Sequence, residues 1–463
     1  MLFEPFTINS VQFGNRVLRS SIGGRTSFYD GTISPAYTAF ETRFAKSGVA
    51  GIISATISVN QRRMSPLEYP ALHDDRYIAP LSQAVRAVQA QGCRYIIQIG
   101  DPGGHTHMGL LAEENDGKSA SAGFDFFYGY RSRTTAMTEE EIEATIENFA
   151  AAALRVRETG SDGVEITASK GYIIHQFLNP ATNRRTDAYG GSVEKRFHLL
   201  ERIIRAARQR VGRDFLLGVR LSAQDFNYLP INLRFPIVFP LRHYFIGNTL
   251  DETLPYARKL EALGVDYLHI DSGFGFPNPH GNTGGYPEGG VRLFVNMTRH
   301  LSAKAGARAV LVNLMPAFLA RAIFGIGWKF RPAANADFAS AFKKAVGIPI
   351  IANGGFQRQS VIEAALGGYK CDMVAIARPL LANLDMLEQF RMGRDEPSNP
   401  CTFCSECCGR TAVLPLGCYD ITRFASQQEM AAQIVALSSP LAEEPTLDRD
   451  DFRLIQSKIM TAI

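Results

Sequence analysis

The segment "GVEITASKGYIIHQFLNPATNRRTDAYGGSVEKRFHLLERIIRAARQRVGRDFLLGVRLS" (163–222) sets two short apolar runs around one amphipathic stretch. The runs, "GVEIT" (163–167) and "FLLGVRLS" (215–222), are continuous rather than alternating, as strands buried on both faces should be. The stretch between them, "SVEKRFHLLERIIRAARQRVG", opens on Ser and closes on Gly, as a capped helix does. Six further runs of the same kind are "RVLRSS" (16–21), "AGIISAT" (50–56), "RYIIQIG" (94–100), "DYLHIDS" (266–272), "IPIIANGG" (348–355) and "CDMVAIA" (371–377). Amphipathic stretches such as "SPAYTAFETRFAKSG", "TEEEIEATIENFAAAALRVRETG" and "QSVIEAALGG" separate them, and "TEEE" (138–141) has the spacing of a capping box. Eight strand–helix repeats predict an α/β fold, a (β/α)8 TIM barrel. A doubly wound sheet is the rival, weakened because no GxGxxG follows the first strand.

The chain has 463 residues, 46% hydrophobic and 20% charged, which suits a globular protein with a large core. Its net charge of +4 is mild and its basic residues read as scattered, so nucleic acid is not expected as a partner. The start, "MLFEPFTINSVQFGNRVL", carries charges and a Pro where an export signal needs an apolar run. Five of the seven cysteines crowd into "NPCTFCSECCGRTAVLPLGCYD" (399–420), while Cys93 and Cys371 sit in apolar surroundings as core thiols. Clustering of this kind points to a reducing, cytoplasmic setting and a metal or cluster site. The largely apolar "AVLVNLMPAFLARAIFGIGW" (309–328) is interrupted by Asn313, Pro316 and Arg321. It reads as a buried or lid helix, with membrane-surface or partner contact as the lesser alternative.

Two connections, 225–250 after the fifth strand and 273–290 after the sixth, are long, and long ordered loops at a barrel's catalytic face are usually functional. Strand seven ends in "ANGGF" and strand eight in "AIARPLLAN". Gly354 and Gly355 let a backbone approach an anion closely, and Arg378 adds a cation beside them; paired glycines are also ordinary turn residues. Arg220 and Gln98 sit inside apolar strands, where each is expensive unless it is paired or faces a polar ligand edge.

Several separate words then fall in order: "NRVLRSSIGG", "DGVEI", "HQFLNPATNRRTDAYGGSVEKR", "GVRLS", "ANGGF" and "AIARPLLAN". Through them the chain, over roughly 1–395, resembles the Old Yellow Enzyme family of FMN-dependent reductases. The resemblance implies FMN at the barrel mouth, with Ser20, Ser21 and Ala55 lining the flavin. It places Gln98 and Arg220 at the pyrimidine edge, and Gly354, Gly355, Ala377 and Arg378 around the phosphate. Tyr172 matches the family's proton-donating tyrosine. The spacing Cys401-x2-Cys404-x2-Cys407-x10-Cys418 resembles the [4Fe–4S] site of the 2,4-dienoyl-CoA reductase and trimethylamine dehydrogenase branch, with Cys408 as rival third ligand. Four thiolates also suit zinc.

The chain departs from that pattern in places. No second GxGxxG unit follows the cysteines, so electrons are expected either from NAD(P)H at FMN or from a separate electron-donor protein through the cluster. The His pair, or His and Asn, with which many simple members hold a substrate carbonyl is replaced by Thr167 and Lys170. A branch-specific His aligns with Pro277, leaving His280 as a substitute. No cysteine follows the first strand, so FMN is expected to be non-covalent. The resemblance implies reduction of an activated C=C bond, and the apolar inserts at 229–247 and 309–328 suggest a bulky hydrophobic substrate, an enoyl- or dienoyl-CoA or an enone. The alternatives are a dehydrogenase or demethylase exporting electrons through the cluster, a zinc-stapled lyase, and an electron-transfer subunit. The expected organisation is a barrel over 1–397, a cluster segment over 398–422 and a helical tail over 423–463 that packs on the barrel or serves an oligomer contact.

Overall fold

The computed structural model describes residues 1–24, 26–61, 69–106, 117–127, 130–227, 237–275, 278–300 and 303–440. Pro277, part of the 225–250 connection and the tail beyond 440 lie outside the described residues. Eight parallel strands form the barrel: β1 (Val17–Arg19), β2 (Gly51–Ile53), β3 (Arg94–Gly100), β4 (Gly163–Ala168), β5 (Leu216–Ser222), β6 (Tyr267–Asp271), β7 (Ile350–Asn353) and β8 (Met373–Ile376). They pair in sequence order, and both the β8–β1 and β3–β4 ladders are present, so the sheet closes. Each falls within one of the eight apolar runs, except that β4 extends one residue past its run. Helices α1 (Pro35–Ala45), α2 (Ile78–Gln89), α3 (Glu139–Glu158), α4 (Val193–Val211), α5 (Leu250–Ala262), α6 (Ala336–Ala345), α7 (Gln359–Gly367) and α8 (Met386–Arg391) follow the strands in turn.

The sequence signals for helix ends are realised locally. Thr138 and Glu141 form a reciprocal capping box at α3. Ser192 caps α4, which ends on Gly212 at φ +71°. One large apolar cluster packs the outer strand faces against the helices. A second, with Leu18, Ile53, Ile96, Leu216, Tyr267, Ile351 and Met373, fills the barrel's lower interior and is closed by the hairpin Phe6–Ile8/Val11–Phe13.

Higher up, the interior turns polar. Glu165 of β4 accepts from Gln98 of β3 at 2.6 Å and from Tyr267 of β6 at 3.1 Å, and its carboxylate meets His269 at 3.1 Å. Strand β6 lies two strands away from β4, so only inward side chains can make these contacts. His269 continues to Asn353 at 3.2 Å, and Asn335 donates to Asn353 at 2.7 Å.

The connections extend the barrel at one end. The β6–α6 connection carries three helices, Glu288–Met297, Ala303–Leu314 and Ala317–Phe324, so 309–328 belongs to the face where the β-strands end. The buried reading of that segment is corrected: most of its large apolar side chains are exposed. No single described helix is long and apolar enough to cross a membrane, although this bent pair passes that test together. The cysteine segment folds back over the same end, and helix Gln427–Ser438 docks near α1, whose Arg43 donates to the Leu437 carbonyl at 2.8 Å.

Gly218 faces the ring of Tyr267 so closely that a Cβ there would fall inside the ring. Gly218→Ala is expected to cost about 3 kcal/mol in urea unfolding, the upper range for overpacking. A cost under about 0.5 kcal/mol would contradict this interior packing.

Candidate active site

A cavity of about 210 Å³ opens where the barrel strands end. Of the residues singled out from the sequence, Ser20, Ser21, Gln98, Thr167, Lys170, Tyr172, Arg220, Gly354, Gly355, Ala377 and Arg378 all line it. Ala55 is buried beside the wall, and its neighbour Thr56 makes the lining contact. His280 does not line the cavity. Its ring stacks flat on Phe226, centroids 3.8 Å apart, and burial beside Arg331 and Lys329 pushes it down to about 4, so it is neutral at pH 7.

The charges of the site are organised by a residue the sequence reading passed over. Asp271, at the tip of β6, takes Arg220 on one carboxylate oxygen (2.5 and 3.0 Å) and Lys170 on the other (2.9 Å). Burial opposes its charge, but the two cations hold its carboxyl well below the usual range. Lys170 adopts a left-handed φ of +56°. Its Nζ also donates to the carbonyls of Gly281 (3.1 Å) and Ser272 (3.3 Å), so all three donors are used inside the protein. Burial lowers its pKa, and Asp271 counters part of that.

Tyr172 donates to the Tyr69 hydroxyl at 2.8 Å, and both rings line the cavity. Burial raises the Tyr172 pKa above its ordinary value, against hydrogen bonds from Tyr69 and Thr56, so the phenol keeps its proton. Thr56 in turn hydrogen-bonds Gln98 at 2.5 Å, tying the cavity wall to the polar network below.

At the other end, Gly354 and Gly355 both have positive φ, +98° and +76°, a conformation that side-chain-bearing residues rarely adopt. Arg378 beside them is held by Ser405 (2.9 Å) and the Thr283 carbonyl (2.7 Å). A second, smaller cavity lies behind Arg378, lined by Cys401, Cys404, Cys407 and Cys418 with Arg378 and Arg423. Arg423 donates to Cys418 Sγ at 3.0 Å. Cys407 lines both cavities and Cys408 only the larger one. Among the described residues, no group of three or more His, Cys, Asp or Glu side chains is placed to hold a metal ion.

Comparison with known proteins agrees with this geometry. A sequence profile of the NADH:flavin oxidoreductase / NADH oxidase family matches residues 1–229. The probable NADH-dependent flavin oxidoreductase YqiG of Bacillus subtilis is 35% identical over 274 residues, covering 58% of this chain and 68% of that protein. The chain belongs to the NADH:flavin oxidoreductase / NADH oxidase family. That family is described as one of NADH:flavin oxidoreductases and NADH oxidases. The NADH oxidase of Thermoanaerobacter brockii is 27% identical over 408 residues, which is 88% of this chain and 53% of that enzyme, so the chain spans about half the length of such relatives. The fold of this family member also matches 2-naphthoyl-CoA reductase, solved as a complex with 2-naphthoyl-CoA, with TM-score 0.69, 22% identity, and coverage of 94% of this chain and 57% of that one.

Asp271→Asn leaves Lys170 and Arg220 facing each other without a counter-charge. At pH 7 the variant is expected to lose about 3–5 kcal/mol in urea unfolding. A carboxylate with a lowered folded pKa contributes stability above its unfolded value of about 4 and loses it below. The gap between parent and variant should therefore close as pH falls below about 4. Equal stability at pH 7 would contradict the arrangement.

Proposed function

We propose that this chain is an FMN-dependent reductase of an activated C=C bond in a bulky hydrophobic substrate, an enoyl- or dienoyl-CoA or an enone. The observation that carries this reading is Tyr172: a buried, protonated phenol on the cavity wall, backed by a second phenol at 2.8 Å. The donor set suits a flavin mononucleotide. Gln98 and Arg220 would meet its pyrimidine edge, Ser20 and Ser21 its ring system, and Gly354, Gly355, Ala377 and Arg378 its phosphate, all on one cavity. Bound FMN supplies the hydride for the β-carbon of the substrate. Tyr172 holds the proton for the α-carbon at its Oη, and Tyr69 is placed to replace it. Thr167 offers the substrate one hydroxyl. Lys170, with its donors engaged, sets the local field and fixes Asp271 rather than gripping a carbonyl.

We further propose that Cys401, Cys404, Cys407 and Cys418 hold a [4Fe–4S] cluster. All four line one small cavity together with Arg378 and Arg423. Cys407, on the wall between the two cavities, is favoured over Cys408 as third ligand. Such a cluster would give a separate donor protein a route to the flavin alongside NAD(P)H. The 2-naphthoyl-CoA found with one fold neighbour is a bulky thioester of the substrate class proposed.

Tyr172→Phe tests the role of the phenol. Stopped-flow should show flavin reduction by NADPH within about twofold of the parent, and reoxidation by an enoyl-CoA or cyclic enone slowed by about 10²-fold or more. Unchanged reoxidation with every such acceptor would remove Tyr172 from the proton transfer.

A further inference from the structure

The helical insert between β6 and α6 is built on one side and bare on the other. On its inner side Arg292 donates to Glu288 (2.8 Å) and to the carbonyls of Val312 (2.7 Å) and Met315 (2.6 Å), and Arg321 donates to Glu288 (2.9 Å). The first insert helix rests on the cysteine segment, with Gly290 backbone-close to Gly409. Downstream, Phe330 stacks on Phe403 with centroids 4.2 Å apart, and Phe403 lines the active cavity. The insert is thus an ordered wall at the mouth.

On its outer side Val310, Leu311 and Leu314 are 60%, 64% and 76% exposed, and Phe318 beyond the bend is 75% exposed. Residues 310, 311 and 314 share one helix face by the helical period, and Ile323 and Ile326 extend the bare surface. Phe239 and Phe245, exposed on the β5–α5 connection, add apolar side chains at the same end of the barrel. An ordered surface of this kind marks an interaction site.

Its charge identifies what it fits. Between Glu288 and Asp337 lie seven basic residues, Lys304, Lys329 and five arginines, and no acidic one. The chain holds 49 Lys and Arg and 45 Asp and Glu, so outside this stretch acidic residues outnumber basic ones, 45 to 42. The basic residues are therefore concentrated, not scattered. The chain's single Trp, Trp328, sits in the same stretch, edge-on to Tyr286. Exposed aliphatic and aromatic side chains, basic residues and an interfacial Trp together make the pattern of a helix pair lying in a lipid headgroup layer. The helices meet at 107° across Met315–Pro316, and neither is long enough to cross a bilayer alone.

We propose that this face docks on an anionic lipid bilayer. Leu314 and Phe318, on either side of the bend, enter the headgroup–acyl boundary, and the exposed Arg299 and Lys329 meet lipid phosphates. The sequence expectation favoured a buried or lid helix for 309–328, with membrane-surface contact as the lesser alternative. It is independent of the proposed redox reaction.

The test is co-sedimentation of the full chain with vesicles of phosphatidylcholine alone and with about 30% phosphatidylglycerol. The chain should bind the anionic vesicles at least about tenfold more tightly than the neutral ones. The double variant Leu314→Glu/Phe318→Glu should lose about tenfold or more, with parental flavin content and melting temperature. Absence of binding to both vesicles, equal binding to both, or a variant that binds like the parent would overturn the proposal. A dimer that the double variant breaks, without vesicle binding, would overturn it in favour of a second copy as the occupant.

Discussion

A buried carboxylate, Asp271, receives two cations from different strands, Lys170 just beyond β4 and Arg220 from β5. Each of the three would be costly alone in the interior, and removing the carboxylate leaves two buried cations facing each other. The arrangement therefore fixes β4, β5 and β6 relative to one another at the cavity. It also explains why Lys170 holds a left-handed backbone: that conformation goes with its Nζ meeting the carboxylate and two carbonyls together.

Below this level the barrel interior is graded. Apolar residues fill the bottom, a neutral-to-acidic network of Gln98, Glu165, His269 and Asn353 fills the middle, and the Asp271 group tops it. Burial works against the Glu165 charge, yet His269, Arg220 and Gln98 hold its pKa below the ordinary value. The gradient keeps the cavity polar along one wall, while the phosphate end is governed separately by the Gly354–Gly355 turn and Arg378. Because Arg378 is held by Ser405 of the cysteine segment, the two cavities share a wall.

The barrel was legible because outward-facing strand positions and helix caps are local signals. Continuous runs such as "RYIIQIG" report burial on both faces, and Thr138 or Ser192 announce helix starts within four residues. Most of the cavity residues were legible too, since Arg220 and Gln98 stand out as polar residues in apolar runs. Asp271 was not. It ends "DYLHIDS", where a strand boundary already accounts for an Asp, and its partner Lys170 lies far off in sequence. Tyr69 was missed for the same reason, because its meaning comes only from contact with Tyr172. His280 read as a catalytic candidate because it lies three residues after Pro277, where a branch-specific His aligns, but its ring stacks on Phe226. The apolar 309–328 segment read as a buried or lid helix, because hydropathy alone does not distinguish a core helix from one whose apolar side chains are exposed.

The most direct test of the account is an anaerobic visible spectrum of the purified chain, with flavin, iron and acid-labile sulfide quantified and NADH or NADPH then added. The account predicts one non-covalent FMN, about four irons and four sulfides per chain, and a broad cluster shoulder beneath the flavin bands. Nicotinamide should bleach the flavin bands. A preparation without flavin that binds none when FMN is supplied would contradict the assignment of the cavity, and with it the chemistry built there.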